Sequence, residues 1–283
     1  MEINAQLVKE LREKSGAGLM ECKKALQETS GDPNKAIKYL KEKGIMKATE
    51  KSGRTTKEGI ISIAISKDNG QGVVVELNCE TDFVARTDEY QSASQEIAEN
   101  ILKSNVEDVK SIPSQIHDQV KNLIAKLGEN ISINQIARIK KSANGFLSSY
   151  IHQGGKIGVL LHLEVGNAQT QSNIDFNNLA KDISMHIAAM SPIGISKDDV
   201  DSNTIKEQEE IFTKQAKDSG KPDNVIEKIV AGKVAQFYKE IVLLEQAFVK
   251  EPKISVQKYI DLESKKFNDK IKVVSFIRLR VGE

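Results

Sequence analysis

Apolar residues at the start of the chain recur at helical spacing. Ile3, Leu7, Val8 and Leu11 share one face, and Ser15-Gly16-Ala17-Gly18 breaks the pattern. A second helix is expected from about Leu19 to Glu28, with Leu19, Cys22 and Leu26 on one side. Gly31-Asp32-Pro33 then stops and restarts the chain, with Asp32 as N-cap and Pro33 at the first helical position. The third helix carries Ala36, Ile37 and Leu40, and Gly44 is its expected cap. Three helices this short make a small core, marginal on its own. Lys41, Lys43, Lys47, Lys51, Arg54 and Lys57 follow, interrupted by Glu42, Glu50 and Glu58. That alternation of charge reads as a solvated linker rather than a phosphate-binding arm.

From Gly59 the period switches to two. Residues 59–65 and 72–77 predict a hairpin around the Asn69-Gly70 turn. The design returns at 145–151 and 158–163 around Gly154-Gly155, with both opening glycines displaced by 86 positions. A helix follows each hairpin, and Ile187-Ala188 matches Ile97-Ala98 at an offset of 90. The expectation is two copies of a hairpin-plus-helix unit, the second with four extra residues after its hairpin. Two strands do not make a stable sheet, so each copy needs a further partner. Between the copies, 106–109 and 116–127 read as helical, and 130–140 fits either strand or helix.

After Ser191-Pro192, helices at 205–217 and 224–239 flank Ser219-Gly220-Lys221-Pro222. This helical hairpin has Ile211, Phe212, Ile226, Ile229, Val230 and Val234 as its expected interior. Pattern alone leaves open whether it packs on its own domain or on another chain. Residues 240–249 and 270–281 are strand candidates, and either could complete the second sheet. The expected class is α+β: a three-helix unit, then two repeated antiparallel-sheet-plus-helix subdomains with an inserted helical hairpin. The expected boundaries are 1–54, 55–143 and 144–283, with the insertion at about 192–238.

Composition narrows the function. Lys plus Arg is 41 and Asp plus Glu is 40 in 283 residues, a net charge of +1. A chain that coats nucleic acid needs a cationic surplus, so no direct nucleic-acid contact is expected. Aromatics are 5% of the chain with no Trp, which argues against base-stacking platforms. No run of 18 apolar residues exists, so no membrane role is expected. The charged opening has no signal-peptide core, and Cys22 and Cys79 form no CxxC pattern, so a cytoplasmic protein with reduced thiols is expected. Phosphate-loop, dinucleotide, zinc-protease and serine-hydrolase motifs are missing, and His117, His152, His162 and His186 have no partner at ligand spacing. The reading is a binding or regulatory protein, not an enzyme, with no cofactor.

One segment resists a structural reading. In Glu76-Leu-Asn-Cys-Glu-Thr-Asp-Phe-Val-Ala-Arg86, Phe83 stands in a polar turn, whereas the second copy has Val165-Gly-Asn-Ala-Gln there. The repeat does not require this aromatic, and an aromatic at such a turn suits insertion into a partner's pocket.

Residues 76–86 resemble, position for position, the signature of the elongation factor Ts family. Residues 11–26, Leu-Arg-Glu-Lys-Ser-Gly-Ala-Gly-Leu-Met-Glu-Cys-Lys-Lys-Ala-Leu, resemble its second signature, with Ser15 where Thr is usual. Leu127-Gly-Glu-Asn-Ile131, 150–159, Ile183-Ser-Met-His-Ile-Ala-Ala189, Ser219-Gly-Lys-Pro222 and 276–283 match as well. The resemblance implies a ubiquitin-associated-type (UBA-like) N-terminal domain and a dimerisation-type hairpin, hence a possible homodimer. It implies elongation factor Tu as partner, GDP-bound or nucleotide-free, and promotion of GDP release in translation elongation. Asp82 and Phe83 would wedge near the partner's magnesium site, with Thr81 and Val84 shaping the turn. Arg12, Leu19 and Met20 match positions that contact the nucleotide domain, and Leu127, Gly128 and His152 match positions at the core interface. Some members continue past the final Val-Gly-Glu into a helical module, and contacts from it do not carry over. The rival reading is a ubiquitin-type adaptor built on the three-helix unit, which has no use for Thr-Asp-Phe-Val.

Overall fold

The computed structural model describes residues 3–15, 17–220 and 222–283, and the side chains of all of these except 45–50, 223 and 224. The readings that involve Gly16, Lys221 and the side chains of Lys47 and Glu50 lie outside the described residues.

The N-terminal apolar stripes meet one another. Helices α1 (Ala5–Ser15), α2 (Leu19–Glu28) and α3 (Pro33–Lys51) share a core of Val8, Leu11, Cys22, Ala25, Leu26 and Ala36. Asp32 accepts the amides of Asn34 and Lys35 at 3.0 and 3.1 Å, so the expected cap forms. Leu19 departs from expectation: at the first position of α2 it overshoots the core and is 53% exposed. Gly44 is not a cap either. Helix α3 runs through it and through much of the expected linker, as far as Lys51.

Next come β1 (Glu58–Ile65), β2 (Gln71–Cys79), α4 (Asp82–Ala85), α5 (Asp88–Ser104), α6 (Ser114–Leu127) and β3 (Ile131–Lys140). The stretch expected to be helical at 106–109 is irregular, with a short 3-10 turn at Val109–Ser111. The ambiguous 130–140 segment is a strand, and β3 pairs antiparallel with β2 to give the order β1-β2-β3. Gly44 now has a reason. A Cβ there would lie 2.8 Å from the Ala125 Cβ of α6, so the glycine permits close packing of two helices.

The second copy contains β4 (Gly145–Ile151), β5 (Ile157–Val165), α7 (Ala168–Gln171) and α8 (Ile174–Met190). Helices α9 (Ser202–Asp218) and α10 (Asp223–Ile241) follow, then β6 (Ala247–Phe248), β7 (Glu251–Ser255), α11 (Val256–Phe267) and β8 (Ile271–Arg280). Strand β5 and helices α7 and α8 each begin 86 residues after β2, α4 and α5, and α5 and α8 both have 17 residues. The offset of 90 and the four extra residues are therefore corrected. Ile97 corresponds to Ile183, and Ile101 to Ile187. A slip of four is one helical turn, which returns an apolar face to itself and so leaves the sequence pattern intact. Strand β8 completes the order β4-β5-β8 and begins 140 residues after β3. The surplus chain of the second copy lies between α8 and α11 and contains the α9–α10 hairpin.

The 240–249 strand is also corrected. Helix α10 continues to Ile241, Val242 makes one isolated bridge to Gly194, and only Ala247–Phe248 is strand. A buried apolar run such as 241–244 has no period by which to tell strand from helix end. Within the helical hairpin Ala216 and Ile226 are buried, and the rings of Phe212 and Phe237 meet edge-on at 6.4 Å. Ile211, expected inside, is 46% exposed.

The layers run helix, sheet, sheet, helix. Val73, Val75, Leu77 and Cys79 of β2 face α5 and α6, and Val159, Leu161, Leu163 and Val165 of β5 face α8 and α11. Between the sheets lie Ile61, Ile63, Val74, Ile139, Leu147 and Leu160. Two equivalent glycines let the sheets approach: a Cβ on Gly158 would lie 2.4 Å from Ile61, and one on Gly72 3.0 Å from Leu160.

Two buried histidines give this body a pH dependence. Burial pulls His162 and His186 below the ordinary value of 6.5, against the smaller opposing influences of Glu164 and Gln246. His186 Nδ1 accepts the Val249 amide at 3.2 Å, which requires an unprotonated nitrogen. The unfolded chain then binds protons first as pH falls through the region of 6.5. Stability is expected to be full above that pH and to decline towards pH 5.5, ahead of carboxylate titration. Urea unfolding across this range checks it, and a flat profile would contradict it.

Candidate partner-binding site at the end of the first sheet

Strand β2 ends at Cys79, and two residues later the chain turns into α4, a single turn of helix. Thr81 is its N-cap: its Oγ1 accepts the Val84 amide at 3.3 Å. Thr87 caps α5 in the same way through Tyr90, and its hydroxyl donates to the Val84 carbonyl at 2.8 Å. Ala85 faces the core and is buried. Phe83 points away from it and is 79% exposed, the largest exposure among the large apolar side chains described. An isolated surface apolar residue is ordinary, but here it sits on backbone bonded from several directions.

Those bonds come from the segment before β3. Glu129 accepts the amides of Glu80 and Thr81 at 3.1 and 3.0 Å and the Thr81 hydroxyl at 2.6 Å. In return, Glu80 accepts the Asn130 amide at 2.7 Å. Arg54 lies 3.4 Å from the Glu80 carboxylate, and its carbonyl accepts the Asn130 side chain at 2.7 Å. Lys51, at the end of α3, donates to the Gly128 carbonyl. Arg54 and Lys51, expected in a solvated linker, thus tie α3 and the following segment to the turn. Beneath it, Cys79 donates to the Thr81 carbonyl at 3.1 Å and the Tyr90 hydroxyl to the Leu77 carbonyl at 2.6 Å. Burial pushes both the Cys79 thiol and the Tyr90 phenol up, so neither ionises near neutral pH. Asp82 pairs with Arg86 at 2.8 Å, one turn along and largely in solvent.

The structure brings several of the sequence-derived positions together. Leu127 ends α6, half-buried, and Gly128 closes it in the left-handed conformation, directly before Glu129. His152 is exposed at the tip of the β4–β5 hairpin, its Nδ1 3.2 Å from the Tyr150 hydroxyl. That tip reaches the first sheet: Lys156 pairs with Glu58, the residue opposite Cys79. Arg12, Leu19 and Met20 lie elsewhere, on the three-helix unit, and are exposed; Met20 is 71% exposed. Met20 borders a cleft of about 1200 Å³ that Glu89 and Ala93 of α5 also line. Among the described residues no group of three or more His, Cys, Asp or Glu is placed to hold a metal ion, and no helix is long and apolar enough to cross a membrane.

Glu129 and Glu80 were not among the sequence-derived site residues. A signal for Glu129 exists: an acid stands two residues before each closing strand, Glu129 before Ile131 and Asp269 before Ile271. It becomes readable only when the strands themselves are assigned.

Comparison with known proteins bears on the family of the chain. The family model described as Elongation factor TS matches residues 80–283, beginning at Glu80 beside the capped turn. Elongation factor Ts of Clostridium kluyveri (strain NBRC 12016) is 43% identical over 99% of this chain and 93% of its own length. Those of Clostridium perfringens (strain SM101 / Type A) and Clostridium botulinum (strain Alaska E43 / Type E3) are 40% identical over the same shares. With a family match from Glu80 to the last residue and relatives that align over nearly the whole chain, this protein belongs to the elongation factor Ts family.

Proposed function

We propose that this protein is a guanine nucleotide exchange factor that binds elongation factor Tu, GDP-bound or nucleotide-free, and promotes GDP release during translation elongation. Asp82 and Phe83 form the wedge that enters near the partner's magnesium and phosphate site, and Thr81 and Val84 set its turn. The observation that carries this reading is Phe83, exposed on a turn whose backbone is held from two segments. Arg12, Leu19 and Met20 extend the contact from the N-terminal side, and Leu127, Gly128 and His152 from the core. The units serving it are a UBA-like domain at 1–54 and core subdomains at 55–143 and 144–283.

The action needs no acid, base or metal from this chain. GDP with its magnesium and the exchange factor favour different arrangements of the same phosphate site, so each weakens the other's binding by the same factor. An aromatic that displaces the partner's structure removes well-placed metal ligands, and the phosphates lose charge compensation. The factor speeds exchange without moving the equilibrium between GDP and GTP. Stopped-flow release of labelled GDP from elongation factor Tu tests the proposal. Acceleration by this protein is the expected result, and an unchanged rate would overturn it.

The hairpin supports a second copy of this chain as a further partner, because Ile211 and Val225 leave apolar surface exposed there. Sedimentation is expected to reveal a concentration-dependent dimer that Ile211→Lys weakens. A single species at every concentration would contradict it.

A further inference from the structure

The same clamp occurs twice in the molecule, but only one copy carries an exposed aromatic. Glu129 takes the amides of Glu80 and Thr81 and the Thr81 hydroxyl. Asp269 takes the amides of Gly166 and Asn167 at 2.8 and 3.0 Å and the Thr170 hydroxyl at 2.6 Å. Both acids precede a closing strand and hold the end of a central strand, β2 or β5. The position 86 residues after Phe83 is Gln169. The first clamp is also more elaborate, since Glu80 returns a bond to Asn130, whereas Gly166 has no side chain with which to do so.

We infer that Glu129 is a positioning residue for nucleotide exchange, fixing the direction in which Phe83 leaves the sheet. The inference rests on the wedge reading of Phe83. Three donors converge on Glu129, and a carboxylate meets them with acceptors on both oxygens. An amide of the same shape accepts on one atom only: with that oxygen on the two backbone amides, its N–H groups face the Thr81 hydroxyl, which must change from donor to acceptor while it already accepts the Val84 amide. A turn loosened in this way must be ordered again each time it docks, and that ordering subtracts from the coupling. The duplicated clamp separates positioning from folding, because Asp269 makes the same three kinds of bond where there is no aromatic to aim.

The test is stopped-flow GDP release from elongation factor Tu at saturating exchange factor, with thermal unfolding of every variant alongside. Glu129→Gln is expected to slow stimulated release roughly ten-fold, the equivalent of about 1.4 kcal/mol. Asp269→Asn is expected to leave it unchanged. In the Phe83→Ala background, adding Glu129→Gln is expected to cost nothing further, since an absent ring has no direction. If Glu129→Gln matches the wild type while Phe83→Ala is impaired, this inference fails and the wedge stands. If Phe83→Ala itself is fully active, the wedge fails first. An additive loss in the double variant would also overturn the inference, by assigning Glu129 to general folding. Should Glu129→Gln not fold, Glu129→Asp keeps the carboxylate at shorter reach, and its cycle with Phe83→Ala is read in the same way.

Discussion

Phe83→Ala is expected to slow stimulated GDP release from elongation factor Tu by roughly 100-fold, about 2.7 kcal/mol, without lowering thermal stability. The two halves of this expectation have separate causes. Phe83 is 79% exposed, so its truncation opens no cavity in the body of the protein. The turn keeps its Thr81 cap, its Glu129 bonds and the buried Ala85. Alanine is also the better helix former, so α4 loses nothing locally. The functional loss arises because anchor aromatics concentrate binding energy where they displace the partner's structure. Linkage supplies a second readout. GDP should weaken binding of the wild-type factor by the same ratio as the factor weakens GDP, and both ratios should shrink together in the variant. A fully active variant would remove Asp82-Phe83 from the mechanism.

Phe176→Ala is expected to do the reverse, costing about 3–5 kcal/mol of folding stability through a position remote from the turn. Phe176 of α8 has no exposed surface. It meets Phe146 of β4 edge-on at 5.1 Å and Phe267 of α11 at 6.3 Å. One ring therefore ties the helix layer of the second copy to both its hairpin and its closing helix. Removing it leaves a void walled by three elements that cannot all collapse inward. Urea unfolding reads the loss as a lowered midpoint at unchanged slope. A cost below about 1 kcal/mol would mean that this layer repacks around the gap.

Much of the architecture was legible because its signals are local. The Asn69-Gly70 turn, the Asp32-Pro33 helix start and the alternation at 59–65 each depend on a few neighbouring residues, and all three form. Phe83 was singled out by its polar setting and by the lack of an aromatic in the second copy, and it is exposed. Leu19 shows the limit of periodicity: it belongs to the apolar series of α2, yet at the first position of that helix its side chain stays exposed. Gly44 shows another. As a residue type it marks a helix end, and only the approach of Ala125 from α6 shows why a glycine stands inside a continuing helix.

The sequence alone was enough for the paired hairpins, the existence of three N-terminal helices, the last strand, the inserted helical hairpin and the odd aromatic in a polar turn. Each rests on spacing within one element or on likeness between two stretches of chain. The true repeat offset, the strand character of β3, the place of β8 beside β5, the extension of α3 and the Glu129 clamp depended on tertiary structure. The physical reason is distance along the chain. A helix face looks the same after a shift of four residues, and a continuous apolar run carries no period. The Glu129 bonds to Glu80 and Thr81 span 49 and 48 residues, so the direction of Phe83 is set by a partner that no local pattern contains.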